Sequence, residues 1–246
     1  MKPGSTTPLV ERTGVLAFGA HPDDIEFGVG GVIARETRAG RPAHLVVCSR
    51  GESGTHGTAE QRTAEAQAGA AALGATLEFA DLGGDAHMEI STAPTLALAA
   101  IIRRLRPTII LAPSLVENQH PDHAKLGRMV RDAARLARYG GVAELKAQPA
   151  HAVGGLHYYA VSHEAEPRDL APVLIDVSPP EIIAAWTDAM RAHASQAQTR
   201  DYVELQLMRA RLHGARAGVT HAIPLFPNDP PLFDSLEPLT RSARRF

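Results

Sequence analysis

The stretch His21-Pro22-Asp23-Asp24-Ile25-Glu26 puts an imidazole and three carboxylates within six positions, directly after the apolar run 14–20. Asp23 and Asp24 are adjacent like charges, and they repel unless a cation lies beside them. A divalent ion is such a cation, and it lets both stay ionised at neutral pH. Histidine and carboxylate without thiolate suit zinc, iron or a similar first-row ion. A catalytic zinc takes three protein ligands and keeps one position for water. His21 and one of Asp23 or Asp24 could supply two ligands, and His120 or His123 the third. Neighbouring side chains point in different directions, so the other aspartate is free to take a proton from bound water.

These groups need elements that bring them together. Short apolar runs at 14–20, 43–49, 75–82 and 108–114 alternate with helical patterns at 30–40, 58–74, 93–107 and 122–139. Thr58 is a fitting N-cap with Gln61 three residues on, and Gly74 closes the same helix. The alternation predicts βαβ units and an α/β fold, a Rossmann-like, mostly parallel sheet with helices on both faces. Strands at 154–162 and 171–178 and helices at 180–196 and 201–218 follow, and a proline-rich tail ends the chain. With neither repeat nor low-complexity linker, 1–246 reads as a single domain, with a βαβ core over about 14–140 and a less regular part over about 141–246.

In a parallel sheet, ligands bind at the carboxyl ends of the strands. The residues after the four strands are His21, Asp23, Asp24 and Glu26; Arg50, Glu52 and His56; Asp85 and His87; and Glu117, His120, Asp122 and His123. Four loops should therefore deliver acids, imidazoles and an arginine to one edge. Gly28, Gly30 and Gly31 do not meet the G-x-G-x-x-G order of a dinucleotide site, and the carboxylates ahead of them would repel a pyrophosphate. They suit a turn and a closely packed helix. His44, His151, His193 and His213 read as surface or packing residues.

Composition narrows the classes. The 246 residues are 44% hydrophobic with a formal net charge of -2, so the chain can build a full core and has no basic excess for nucleic acid. The single cysteine, Cys48, excludes an internal disulfide and a thiolate-rich metal cluster, and its apolar surroundings suit an inert strand thiol. No apolar stretch reaches the ~18 residues of a membrane span, and the start shows no hydrophobic leader segment. A soluble cytoplasmic protein without membrane or nucleic-acid partners is expected.

The run AHPDDIE resembles the A-H-P-D-D-E signature of the PIG-L/LmbE-like zinc N-deacetylases, with Ile25 ahead of the acid. The stretch 49–74 is similar to the family's T-x-G-E-x-G-T-x-G-T-x-x-x-R-x-x-E block, HPDHAKLGRMV to its third block, and AMRAHASQ to a late helical one. The resemblance spans 14 to about 197. It implies that His21, Asp24 and His123 bind zinc, or iron, and that Asp23 is the general base. His120 would protonate the leaving amine or steady the oxyanion, and Asp122 would hold an imidazole in orientation. Arg62 would face the substrate, and Glu26 would support the turn. Asp85 is either a turn former or a partner for sugar hydroxyls. The family's late A-E-x-F acid has no counterpart here, because Ile223 stands at its place. Tyr158, Tyr159 and His221 are the polar candidates near that part.

The implied reaction is removal of an N-acetyl group from a small amino sugar or its conjugate, releasing acetate. Bacillithiol-type deacetylases acting on N-acetylglucosaminyl-malate are nearest in the form of the motifs. Two other readings are an amidase cleaving a thiol–sugar conjugate at the same metal and a non-catalytic metal- or sugar-binding module. Relatives form trimers and hexamers, so a homo-oligomer is implied too.

Overall fold

A computed structural model describes residues 14–117, 120–197 and 201–243. The expectation about the first residues of the chain lies outside them. The elements in chain order are β1 (Val15–Gly19), α1 (Asp24–Arg38), β2 (Ala43–Val47), α2 (Ala59–Leu73), β3 (Thr76–Phe79), α3 (Thr92–Leu105) and β4 (Ile109–Pro113). They continue with α4 (Pro121–Arg138), β5 (Gly155–Tyr159), β6 (Val173–Asp176), α5 (Pro180–Arg191), α6 (Tyr202–Ala217) and β7 (Ala222–Pro227). Short 3-10 turns lie at Ala143–Leu145, His163–Ala165, Ala194–Gln196 and Glu237–Leu239.

The sheet has seven strands in the order β3-β2-β1-β4-β5-β7-β6. The first five are mutually parallel, and β7 runs antiparallel between β5 and β6. Strand residues alternate between two cores. Val15, Ala17, Leu45 and Val47 pack with Ile33, Leu73 and Trp186 under α1, α2, α5 and α6. Leu16, Phe18 and Val46 pack with Leu98, Ile102 and Met129 under α3 and α4. This is the predicted α/β sheet with helices on both faces. β1 pairs with β2 on one side and β4 on the other, so chain order reverses there, and an open α/β sheet forms its crevice at such a point.

Two elements depart from the sequence expectations. α1 starts at Asp24, not near residue 30, so the charged turn is the helix N-terminus itself. Gly28, Gly30 and Gly31 lower helix propensity, but packing decides: Cβ atoms there would run into Tyr159, Trp186 and Ile223. Residues 223–227, expected as the start of the tail, belong to β7. Two prolines argue against a strand between neighbours. Pro224 is accommodated because β7 pairs with β5 only at Phe226 and Pro227, beyond it.

α2 is capped as expected, with Thr58 accepting from the Gln61 amide and Gly74 left-handed at φ 71°. Cys48 follows β2, fully buried, and burial pushes its thiol pKa well up, away from thiolate reactivity. Among the described residues, no helix is long and apolar enough to cross a membrane.

Candidate metal centre

β1 delivers the chain to the crevice, and the turn after it is drawn tight by Asp24. Oδ2 of Asp24 accepts from the amides of Ala20 at 2.8 Å and His21 at 2.9 Å. This folds the side chain back over the turn and leaves Oδ1 facing α4, 3.0 Å from Nε2 of His123. Nδ1 of His21 lies 3.3 Å from the same His123 nitrogen and 3.5 Å from Asp24 Oδ2. The three side chains are buried, and their donor atoms lie within 4.8 Å of one another.

Two imidazole nitrogens and a carboxylate, brought from β1 and α4 to one point, could hold a divalent ion. The other face of His21 supports this. Its Nε2 lies 3.1 Å from Asp85 Oδ1 and 3.6 Å from Asp122 Oδ2. A metal-binding histidine generally presents one nitrogen to the ion and the other to a carboxylate, which fixes tautomer and ring orientation. His21 Nε2, Asp85, His120 and Asp122 form a second compact group of possible ligands. In that group Asp122 Oδ2 already accepts from the Ala86 amide at 2.8 Å, and Asp85 Oδ2 from the Ser53 amide at 3.2 Å. Those carboxylates serve as backing for His21.

The electrostatics carry the same signature. Burial disfavours the charged form of His21, yet Asp24, Asp122 and Asp85 outweigh it and push its pKa up to about 12. Burial also works against the Asp24 carboxylate, but His123 and His21 hold its pKa well below the usual range. A pocket that so favours the cationic form of the His21 imidazole has negative potential available to a metal ion.

Asp23 precedes the helix with φ 115° and ψ -28°. A left-handed backbone is costly for a residue with a side chain, and such strain persists only where the surroundings enforce it. Burial, then Asp24, raises the Asp23 pKa to about 6, against the pull of His193, Arg62 and His21. A carboxylate near 6 suits a general base at neutral pH.

Arg62 of α2 enforces the turn. Nη2 donates to the Pro22 carbonyl at 2.9 Å and lies 3.4 Å from Asp23 Oδ2, while Nη1 donates to the Gly51 carbonyl at 3.0 Å. Gly51 is left-handed at φ 68°, and a Cβ on it would collide with the guanidinium. The side chain is buried and engaged with the protein's own loops, whereas the sequence expectation pointed it at substrate.

His120 is the N-cap of α4, its Nδ1 accepting from the Asp122 amide at 3.3 Å. With that lone pair used, the proton of the neutral ring sits on Nε2, which lies 3.5 Å from Asp85 Oδ1. Burial, then the cationic forms of His21 and His123, lower its pKa. Asp122 is fully buried, nearer to His21 Nε2 than to His120 Nδ1, which is 4.0 Å away, and Lys125 Nζ sits 3.4 Å from its other oxygen.

Two expected substrate residues stand apart from that role. Asp85 is buried and turned to His21 and Ser53. Tyr158 does not join the group: it packs in the core under α3 and α4 and donates to Asn228 Oδ1 at 2.7 Å. Tyr159 donates to the Phe18 carbonyl, and His221 lies against Thr220.

A further layer lies in the AHASQ segment, which the sequence reading matched to a family block without giving Ser195 or Gln196 a role. Ser195 donates through its hydroxyl to Glu65 Oε2 at 2.6 Å, and Gln196 Nε2 donates to the His56 carbonyl at 2.9 Å. The turn after α5 thus fastens both α2 and the loop over the crevice. His193 is buried 3.6 Å from Glu26, whose carbonyl accepts from the Trp186 indole at 2.7 Å. A polar histidine, serine and glutamine at the end of an apolar helix is the signal that pointed there.

Comparison with known proteins agrees with the geometry. The model of the PIG-L family, described as GlcNAc-PI de-N-acetylase, matches residues 16–134. A conserved protein of Thermus thermophilus has a solved structure with 30% identity and a TM-score of 0.78, covering 94% of this chain and 100% of its own. Diacetylchitobiose deacetylase of Thermococcus kodakarensis is 28% identical over 77% of this chain and 72% of its own. The 4-oxalmesaconate hydratase of Pseudomonas putida is 30% identical over 51% of this chain, and the match spans about half, 53%, of the hydratase. The chain belongs to the PIG-L family.

Proposed function

We propose that the protein is a metal-dependent hydrolase that removes the N-acetyl group from a GlcNAc-type amino sugar or a small conjugate of one, releasing acetate. The observation that carries this is the meeting of His21 Nδ1, Asp24 and His123 Nε2, with Asp23 beside them on an enforced left-handed turn. In this reading His21, Asp24 and His123 hold zinc or iron. The bound ion supplies Lewis acidity that polarises the acetyl carbonyl and acidifies water.

The chain's own residues then divide the proton work. Asp23 accepts a proton from the attacking water as its oxygen bonds to the acetyl carbon. His120 presents Nε2–H to the negative charge developing on the carbonyl oxygen, a contact typically worth about 3–4 kcal/mol in the transition state. The carbon–nitrogen bond breaks as the amine takes the proton that Asp23 removed from water, and acetate and the free amino sugar leave. Asp85 and Asp122 keep the His21 ring in register, and Arg62 keeps Asp23 in place.

The hydratase relative supports a second reading, addition of water across a carbon–carbon double bond by the same ion and base. The oxalmesaconate that its name gives is a polycarboxylate, which calls for available cations. Here Arg62 is held by backbone carbonyls and Lys125 lies against Asp122, while the exposed Arg50 rests on the Phe79 ring and Arg128 pairs with the exposed Glu117. The deacetylase reading needs no such cations. Acetate release from N-acetylglucosamine, its malate glycoside and diacetylchitobiose, with metal-loaded and chelated protein, tests it. Metal-dependent acetate is expected; turnover of an unsaturated dicarboxylate with no acetate from any sugar favours the hydratase.

A further inference from the structure

His193 and Glu26 form a charged contact that the proposed chemistry leaves unused. Both are buried, at 0% and 1% exposure, with Nε2 of His193 3.6 Å from Oε1 of Glu26. Both ring nitrogens of His193 and Oε2 of Glu26 lack a hydrogen-bond partner among the described residues. Burial works against the cationic ring, yet Glu26, then Asp23 and Glu65, outweigh it and raise its pKa. The two side chains are each other's counter-charge in a closed slot.

The fold makes room for them. Gly69 interrupts an alanine-rich stretch of α2, and a Cβ on it would lie 2.8 Å from Glu26 Oε1 and 3.1 Å from His193 Nε2. Glycine inside a helix costs about 1 kcal/mol against alanine. Apolar side chains could fill the same slot, and replacing a buried ion pair by packed hydrophobic residues is often neutral or stabilising. Stability alone gives no reason for the charges. What a charged pair adds is a fixed placement of the groups that carry it.

The group so placed is the start of α1. Glu26 stands three residues after Asp23, and the Phe27 amide donates to the Asp23 carbonyl at 2.9 Å. α5 and the turn that ends it grip this first turn at two points seven residues apart. Trp186 donates to the Glu26 carbonyl at 2.7 Å, and His193 meets the carboxylate. The left-handed Asp23, at φ 115°, is thus bounded on one side by Arg62, through the Pro22 carbonyl, and on the other by the gripped turn. Backbone strain of that kind persists only where the surroundings over-determine it.

We propose that His193 is a positioning residue, which through Glu26 fixes the first turn of α1 and so the direction in which Asp23 faces the crevice. The proposal rests on Asp23 being the base of the reaction given above. Paired apolar substitution, Glu26→Met with His193→Phe, tests it. The variant should melt no lower than the wild type and carry one ion per chain, yet lose roughly 10- to 100-fold in kcat with KM unchanged. Gly69→Ala, which crowds the pair and keeps both side chains, should show the same split, and it decides alone if the paired variant does not fold. Unchanged kcat in a folded, metal-loaded variant, or a loss that follows KM or metal content, overturns the proposal. The pair is also visible without substrate. In the metal-loaded wild type, nitrogen-15 NMR at about pH 8 should show an imidazole protonated on both nitrogens that is absent from His193→Phe. A neutral His193 overturns the proposal. A cationic one in a chain that releases no acetate counts against the deacetylase reading alone.

Discussion

Arg62 holds the Pro22 carbonyl at 2.9 Å, and the next residue, Asp23, carries the left-handed backbone at φ 115°. The guanidinium thus fixes the turn from which Asp23 faces the crevice, and at 3.4 Å its charge also favours the ionised carboxylate. The family resemblance implies that Arg62 faces the substrate. The buried guanidinium instead ties two loops, the turn after β1 and the loop after β2, to α2.

Arg62→Ala should cut kcat/KM by roughly 10- to 100-fold, the scale for a misplaced catalytic group. Its pH dependence is the more telling readout. In the proposed mechanism Asp23 acts as the anion, so activity rises with pH through its pKa, which burial and Asp24 raise and Arg62 lowers. Loss of the cation raises that pKa, so the acid limb of the kcat/KM profile should move to higher pH. An unmoved limb contradicts the placement.

Asp85 lies 3.1 Å from Nε2 of His21, and Asp122 lies 3.6 Å from it. Asp85→Asn and Asp122→Asn should each weaken metal binding about 10- to 100-fold, the usual effect of removing a carboxylate behind a ligating imidazole. Competition with a chromophoric chelator measures this. Unchanged affinity in both would return Asp85 to the sugar-binding role that its sequence position also allowed.

A Cβ on Gly28 would enter the Tyr159 ring, whose hydroxyl is held by the Phe18 carbonyl. Gly28→Ala should therefore cost about 1–3 kcal/mol by overpacking, despite the higher helix propensity of alanine. Urea unfolding gives the number, and a stabilised variant would show that α1 can shift away from β5.

Glu166 anchors the loop after β5 to α6, with Arg209 Nε at 2.8 Å and His213 Nε2 at 3.0 Å. Partial burial works against its charge, but His213 and Arg209 outweigh that and hold its pKa below the usual carboxylate range. A lowered folded pKa gives stability that is full above the unfolded value, near 4.3, and lost as pH falls through the folded value. Glu166→Gln should cost about 1–2 kcal/mol at neutral pH, less than for a fully buried pair because solvent screens the partly exposed carboxylate. The gap between variant and wild type should close as the pH falls below about 4.

The parts readable from sequence are those that local chemistry decides. Thr58 and Gly74 bound α2 where a cap and a left-handed residue were expected. Strand ends marked by His21, Asp85 and His120 converge because a parallel sheet turns all such ends one way. What escaped depends on contacts between distant segments. The glycines of α1 suited a turn and a closely packed helix; that all three lie inside the helix is decided by Tyr159, Trp186 and Ile223 against them. Pro224 could not be assigned to a strand before the short pairing of β5 and β7 was known. Tyr158 and Tyr159 alternate across the sheet, and period two alone does not say that both enter cores.

The central claim is that His21, Asp24 and His123 together grip one divalent ion, and metal content per chain tests it most directly. Purified wild type, dialysed against a trace of zinc or ferrous iron and measured by mass spectrometry, should carry one ion per chain, while His123→Ala and Asp24→Asn, folded by circular dichroism, should carry almost none. Equal metal in the wild type and both variants, or no metal in a folded wild type, contradicts the account.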